Sequence, residues 1–220
     1  MLNSIKSNKN SNVYMLVLTG IFAGIVTVCS WITVPLPFTQ VPINLAVLGV
    51  LLAGGCLGSK YGSLSILIYI LLGAVGIPVF AGFGAGLGTL AGPTGGYIVG
   101  YILCAAIAGL GSVAISKTFK KPSRAAAPSQ ASNSTQQAAE ADAGLSKKKK
   151  APRLATLRLA FLMVLGVAAC YALGTLWYAH LMQTTIWAAL ALCVIPFIPC
   201  DALKIAAAVF LVTRLRHLLP

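Results

Sequence analysis

The sequence of residues 13–34 is VYMLVLTGIFAGIVTVCSWITV, a run of 22 residues without a charged side chain. A helix needs about 20 predominantly apolar residues to cross the hydrocarbon core of a bilayer. This segment is therefore long enough to form a first transmembrane helix. The whole chain shares its character, since 58% of the 220 residues are hydrophobic and 9% are charged. Soluble domains carry about 25% charged residues, so the composition excludes an ordinary soluble domain.

Further apolar segments follow at spacings that suit a helical membrane bundle. We expect a short second helix after the proline-rich turn at 35–38, and longer spans after it. The six expected helices cover 13–34, 43–58, 61–78, 95–116, 156–180 and a last segment from Pro196–Pro199 to Arg214. We expect the apolar segment 184–195 to extend either the helix before it or the helix after it, and the sequence does not decide which.

The basic residues test this count of helices. If the N-terminus is cytoplasmic, the outer segments 35–42, 79–94 and 181–195 contain no Lys or Arg, whereas 15 of the 16 basic residues lie on the inner side. The positive-inside rule predicts such an asymmetry, and an odd number of spans would destroy it. The sequence therefore predicts an all-α integral membrane bundle of six transmembrane helices with both termini cytoplasmic. It also explains the net charge of +13 without nucleic-acid binding.

A polar segment divides the bundle. Residues 122–146 are mostly Ala, Ser, Gln, Asn and Pro, a composition that cannot bury a core. We expect a flexible cytoplasmic linker over 122–150, between residues 1–121, which form helices 1–4, and residues 151–220, which form helices 5 and 6 of the same membrane domain. The run Lys147–Lys150 is expected to lie at the anionic inner leaflet of the lipid bilayer, with docking of a partner as the alternative.

Asp201 and Lys204 are the two charged residues expected at membrane depth, and their spacing puts them on one face of the last helix. An ionised residue at the centre of a span costs about 2.5–3.5 kcal/mol on insertion scales. Such a pair is expected to face the bundle interior or a wet cavity. It also follows the outer proline break, close to where a ligand would arrive from outside. The alternative is an internal ion pair that only locks the helix.

The expected outer loop between helices 3 and 4 is rich in glycine at 76–88 and 92–96. A nucleotide-binding loop is excluded, because no strand precedes it and it lies outside the cell. Glycine-rich backbone can instead fold over a site as a lid, with Phe80, Phe83 and Tyr97 as flat apolar faces. The alternative is a purely structural loop.

Other functional classes have less support. The six cysteines show no C-x-x-C spacing, so we expect small apolar helix residues and no metal site. His180 and His217 are expected at opposite membrane faces, so neither can join Asp201 in an acid–base set. We therefore expect no enzymatic activity. No Walker A motif occurs, so any ATP hydrolysis would come from another chain.

Four motifs, in order, resemble the BioY family. They are VPLPFTQVP at 34–42, GAVGIPVF at 73–80, GPTGGY at 92–97 and the pair Asp201-x-x-Lys204. The family is the biotin-specific substrate-capture subunit of energy-coupling-factor (ECF) transporters. The resemblance covers about 13–116 and 155–215. The sequence departs from the family pattern in three places: Asn44 and Ala46 replace a common Thr and Gln, Cys200 replaces a common Gly, and the linker is unusually long.

The resemblance implies a six-helix subunit in the inner membrane of a bacterium that binds biotin from outside and needs no cofactor. It implies as partners a membrane coupling protein and two ATPases. Asp201 and Lys204 are expected to contact the ligand, and the rest of the expected site is Tyr97, Phe80, Phe83, Thr94, Gly95 and Asn44. Gly20 and Gly24 form a small-x-x-x-small pair on helix 1, which lets helices approach closely in lipid. The pair alone suits either internal packing or docking to a partner subunit, and the resemblance implies docking, because such residues face the coupling protein in this family. The alternatives are capture or solitary transport of another vitamin and, with less support, a membrane enzyme.

Overall fold

The computed structural model describes residues 2–37, 39–119 and 137–215, with side chains at 13–37, 39–112 and 154–215. It is a helical bundle with one two-stranded ribbon. The elements in chain order are α1 (Leu2–Trp31), β1 (Thr33–Val34), β2 (Ile43–Asn44), α2 (Ala46–Val75), α3 (Gly86–Ala91), α4 (Gly95–Phe119), α5 (Gln137–Met182), α6 (Ile186–Cys193) and α7 (Ile198–Leu215). A short 3-10 turn, Ala81–Phe83, precedes α3.

The α2 segment reverses direction within its length. Gly58 has φ 82° and ψ 179°, far from helical values. A Cβ atom at Gly62 would lie 2.8 Å from the Cα atom of Gly54, whereas eight residues of straight helix would separate these positions by about 12 Å. We therefore divide α2 into a first arm, 46–57, and a second arm, 59–75. These arms correspond to the expected helices 43–58 and 61–78.

The membrane-spanning segments agree with the charge pattern. Four described segments are long and apolar enough to span, namely Val13–Trp31, Ala46–Val75, Gly95–Ser112 and Leu154–Met182, and α6 with α7 makes a fifth across a 56° bend. The reversal at Gly58 turns one of these segments into two passes, which gives six. The first arm of α2 is only about 18 Å long, and it suffices because all of residues 49–57 are buried within the protein.

The bend between α6 and α7 answers the question that the sequence left open. The apolar segment 184–195 forms a separate short helix that continues into α7 across a break at 194–197. Thr185 caps it, since its side chain accepts a hydrogen bond from the backbone N–H of Ala188 at 3.4 Å. The other neighbour, α5, ends at Met182.

The expected linker 122–150 lies partly outside the described residues. Residues 120–136 are not described, and α5 begins at Gln137, inside the expected segment. The part of α5 that spans the membrane is Leu154–Met182. The linker remains a prediction.

Glycines allow the helices of the core to approach very closely. A Cβ atom at Gly54 would lie 2.5 Å from the carbonyl oxygen of Ala105, and one at Gly109 would lie 2.3 Å from the backbone nitrogen of Ser59. A Cβ atom at Gly166 would lie 2.9 Å from the carbonyl oxygen of Cys104. These contacts join α2 to α4 and α4 to α5 in the way that small residues join helices in lipid.

Replacing one of these glycines is expected to destabilise the bundle. In Gly54→Ala the new methyl group must displace the backbone of α4, at a cost of about 1–3 kcal/mol. We expect a lower midpoint of thermal unfolding in detergent. Gly20→Ala is the matched control, because nothing lies within 4 Å of a Cβ atom at Gly20. Equal midpoints for both variants would contradict the close packing of α2 against α4.

Candidate functional site

A cavity of about 210 Å³ lies in the outer half of the bundle, beneath the outer loops. Holding one water takes roughly 10–15 Å³ on the same measure, so the cavity has room for a small organic molecule. Its walls come from all seven described helices, from β2 and the loop before it, and from the loop between α2 and α4. The lining residues are Ser30, Gln40, Val41, Pro42, Asn44, Val47, Tyr69, Phe80, Ala81, Thr89, Thr94, Tyr97, Ile98, Tyr101, Val167, Cys170, Tyr171, Cys193, Phe197, Asp201 and Lys204.

The two charged residues of α7 meet at the wall of this cavity. Lys204 Nζ donates to Asp201 Oδ1 at 2.6 Å, and both side chains are buried. They share a buried stripe with Ala208 and Val212, at the spacing of one helix face. Val212 packs against Gly55 of the first arm of α2. This stripe turns the ion pair toward the protein interior and away from lipid.

Asp201 has two further sources of stabilisation. Tyr171 of α5 donates its phenolic hydrogen to Asp201 Oδ2. Asp201 also lies in the first turn of α7, where the helix dipole favours a negative charge. The carboxylate is therefore held by a cation, a hydroxyl group and a helix end together.

The ion pair keeps capacity for a ligand. An ammonium group has three donor hydrogens, and an ionised carboxylate has about four acceptor positions. In the described residues Lys204 uses one donor, on Asp201, and Asp201 accepts from Lys204 and Tyr171. Lys204 can thus still donate to an anionic or carbonyl oxygen, and Asp201 can still accept from an N–H group. Both residues line the cavity.

Phe80 forms part of the roof and is fixed by a glycine. A Cβ atom at Gly73 would lie 2.0 Å from the ring of Phe80, so only glycine leaves room for it. The ring contacts Tyr69 edge to face, with 5.5 Å between centroids. Tyr69 in turn shares a 3.0 Å hydrogen bond with Ser30. These contacts join the roof to α1 and α2.

Tyr97 is held in the same manner on the other side of the cavity. A Cβ atom at Gly174 would lie 2.3 Å from its ring, and its hydroxyl group lies 3.4 Å from Thr175 Oγ1. The ring therefore packs closely against α5 at Gly174. Because glycine at 174 permits this approach, Tyr97 is held where it lines the cavity.

Two tryptophans tie the glycine-rich loop to the bundle. The indole N–H of Trp31 donates to the carbonyl of Pro78 at 2.8 Å, and that of Trp177 donates to the carbonyl of Gly92 at 3.0 Å. The backbone N–H of Gly82 donates to Thr33 Oγ1 at 3.3 Å. The loop between α2 and α4 is thus attached to α1 at one end and to α5 at the other.

The structure brings most of the expected site residues together. Asp201, Lys204, Tyr97, Phe80, Thr94 and Asn44 all line the cavity. Asn44 also contacts the start of α2, since its Oδ1 accepts a hydrogen bond from the backbone N–H of Ala46, the first residue of the helix, at 3.1 Å. The cavity thus contains six of the eight residues that the sequence assigns to ligand binding.

Phe83 and Gly95 lie elsewhere. Phe83 has φ 60°, which turns its side chain outward, where it is 62% exposed and stacks on Trp31 with 5.1 Å between centroids. A Cβ atom at Gly95 would lie 1.7 Å from the carbonyl oxygen of Leu90. Gly95 therefore serves the tight turn into α4. Neither residue borders the cavity.

Sequence reasoning missed several polar wall residues, above all Tyr171, Tyr69 and Tyr101. Tyrosines in membrane proteins are enriched at the interfaces, where the hydroxyl group meets water. Three tyrosines well inside expected spans, away from the interfaces, could therefore have indicated an internal polar cavity that their hydroxyl groups face. Cys170 and Cys193 also line it, and no signal in the sequence separates them from the other cysteines.

No group of three or more His, Cys, Asp or Glu residues within the described ranges can hold a metal ion. His180 is exposed near the outer end of α5 and does not line the cavity. His217 lies outside the described residues. The polar groups of the cavity are thus an ion pair, hydroxyl groups, thiols and amides, a set that suits binding of a polar ligand.

Comparison with known proteins gives consistent results. Residues 5–220 match the BioY family. The chain is 48% identical over 95 residues to the biotin transporter BioY of Thermotoga maritima, covering 43% of this chain and 55% of that protein. It is 50% identical over 94 residues to the probable biotin transporter BioY of Pyrococcus horikoshii, covering 43% and 57%. The aligned part thus spans about half the length of these curated relatives.

The fold also matches a solved structure. A crystal structure of the S-component for biotin from an ECF-type ABC transporter superposes with a TM-score of 0.73, covering 94% of this chain and 93% of that one. The sequences are 23% identical. The match establishes the fold and confirms the expected membrane bundle.

Removing the hydroxyl group of Tyr171 is expected to destabilise the protein. Tyr171→Phe takes a hydrogen bond from the buried carboxylate of Asp201, and bonds to charged groups are worth about 1.5–3 kcal/mol. We expect the free energy of unfolding to fall by that amount. Tyr14→Phe, at a 45% exposed position, should leave it unchanged.

A double-mutant cycle isolates the contact. In an Asp201→Asn background the effect of Tyr171→Phe should shrink, because the charge that strengthens the bond is gone. An undiminished effect would show that Tyr171 stabilises the bundle by some other contact.

Proposed function

The chain belongs to the BioY family, and we propose on this basis that it binds biotin at the outer face of the cell membrane for uptake. The observation that carries the proposal is the buried Asp201–Lys204 pair at the wall of a 210 Å³ cavity beneath the outer loops. The names of the relatives, all biotin transporters, support the same ligand.

The chemistry of the cavity suits this ligand. Biotin has a ureido ring with two N–H donors, an apolar sulfur ring and chain, and a carboxylate. Asp201 has free acceptor positions for N–H groups, and Lys204 has free donors for an anionic oxygen. Apolar and aromatic walls such as Phe80, Tyr97 and Phe197 would cover the rings. A mostly apolar pocket with a few convergent polar groups is typical of small-molecule sites.

The proposed site consists of the residues that line the cavity. Asp201 and Lys204 would contact the ligand, with Phe80, Tyr97, Thr94 and Asn44 around them and Tyr171 orienting Asp201. Phe83 and Gly95 would act only through the loop. Because the loop is tied to α1 and α5 by Trp31 and Trp177, we propose that it closes the cavity toward the outside.

We further propose that the protein works as the substrate-binding subunit of an ECF transporter in the inner membrane of a bacterium. A membrane coupling protein and two ATPases would supply the energy, so this chain would have no enzymatic activity of its own. The S-component whose fold it shares comes from an ECF-type ABC transporter, which supports this proposal.

Helix α1 offers a surface for the coupling protein. Gly20 and Gly24 are exposed, and a Cβ atom added at either residue would meet nothing within 4 Å. Ala23 and Thr27 form a second pair of small residues four apart on α1, and both are buried in the bundle. The glycine pair is therefore available for close approach of another helix.

Binding of biotin by the purified protein tests the ligand. Asp201→Asn and Lys204→Met should each weaken binding by about thirtyfold or more, because each removes a charged group proposed to contact the buried ligand, and truncating one side of a buried charged contact across a binding interface costs about 2–5 kcal/mol. Lys60→Gln is the control, since Lys60 is exposed and outside the cavity. Titration of labelled biotin, with desthiobiotin and riboflavin as competitors, measures the effect. Full-strength binding in both site variants, or displacement by riboflavin, would contradict the proposal.

Uptake by cells tests the surface of α1. Gly24→Leu should leave biotin binding by the purified protein unchanged but abolish uptake in cells that supply the coupling subunits, because the added bulk would hold the partner helix away. Ala172→Leu, at an exposed position of α5, is the matched control and should retain uptake. Normal uptake by the Gly24 variant would show that this face is not the docking surface.

A further inference from the structure

A second concave feature lies on the lipid-facing side of the bundle, between α4 and α5. It is an open groove of about 480 Å³, lined by Leu110, Gly111, Leu157, Arg158, Phe161 and Leu162. It shares no residue with the cavity described above. Gly111 lies at the inner end of the α4 span Gly95–Ser112, and Arg158 lies near the inner end of the α5 span Leu154–Met182. The groove is therefore at the inner leaflet.

The floor of the groove is made by a glycine. A Cβ atom at Gly111 would lie 3.1 Å from the Cα atom of Leu159, so the two helices touch there. Larger side chains rise on either side, with Leu110 58%, Leu157 65% and Phe161 68% exposed. The result is an apolar channel of the kind that an acyl chain can fill.

Arg158 gives the groove a positive charge. It is exposed and lies one helical turn inside the span Leu154–Met182. An arginine is always ionised, and a charge within a span requires a counter-charge or contact with the interface. Among the residues with described side chains, the one ion pair is Asp201–Lys204. Within those residues, Arg158 therefore has no acidic side chain as a partner.

We propose that this groove binds an anionic phospholipid of the inner leaflet. The phosphate would pair with the guanidinium group of Arg158, whose planar fork matches phosphate oxygens. One acyl chain would follow Leu157 and Phe161 toward the bilayer centre. Charge complementarity favours this occupant, since 15 of the 16 basic residues lie on the inner side and basic pockets between helices on that side bind anionic head groups.

The competing explanation is that anionic lipid is attracted only by the overall positive charge of the inner surface. Lys60 distinguishes this explanation from binding in the groove. Lys60 is exposed at the inner turn between the arms of α2 and lines no part of the groove. A lipid held only by the positive inner surface would respond equally to loss of either cation. A lipid held in the groove would respond to Arg158 alone.

Native mass spectrometry of the full-length protein measures the bound lipid. Wild type should retain phosphatidylglycerol in preference to phosphatidylcholine with the same acyl chains. Arg158→Gln should weaken that binding about fivefold, which is the effect of one basic residue. Arg158→Lys should weaken it less, and Lys60→Gln should leave it unchanged. Biotin binding should be unchanged in all three variants, which also reports that they are folded.

Two further arms identify the part of the lipid that is recognised. Neither inorganic phosphate nor glycerophosphoglycerol, which lacks acyl chains, should compete at concentrations that suffice for the intact lipid. Equal losses in Arg158→Gln and Lys60→Gln would overturn the proposal in favour of surface charge. Effective competition by the deacylated compound would overturn the role of the apolar groove.

Discussion

The structure depends on keeping two opposite charges inside a membrane protein. Asp201 and Lys204 are tolerated because they neutralise each other at 2.6 Å, because Tyr171 donates to the carboxylate, and because they face a cavity instead of lipid. A buried pair of this kind contributes little net stability, since desolvation offsets much of the attraction. Its value lies in the donors and acceptors left free at the cavity wall, which a polar ligand can use.

Glycines elsewhere in the bundle set how closely the helices and the aromatic residues around this cavity can pack. On the inner half, Gly54, Gly109 and Gly166 bring α2, α4 and α5 into backbone contact. On the outer half, Gly73 and Gly174 instead accommodate the rings of Phe80 and Tyr97. Glycine thus has two effects in one fold. It lets helices approach to backbone contact, and beside the cavity it lets the rings of Phe80 and Tyr97 lie against backbone.

Much of this was readable from the sequence, and the failures have physical causes. The distribution of Lys and Arg along the chain predicted six passes, even though the reversal at Gly58 joins two of them into one continuous segment. The motif Asp201-x-x-Lys204 predicted a pair that faces the interior, because two charged side chains within a span are too costly to expose to lipid. The sequence could not show that Phe83 lies outside the cavity, because the backbone conformation that turns it outward, φ 60°, is not encoded in any local pattern. Tyr171 was missed because its partner lies 30 residues away, on another helix.

A structure determined in the presence of biotin tests the central claim most directly. The account predicts ligand density in the 210 Å³ cavity, in contact with Lys204 and Asp201 and beneath Phe80. An empty cavity at saturating biotin, or biotin bound at another surface, would contradict it.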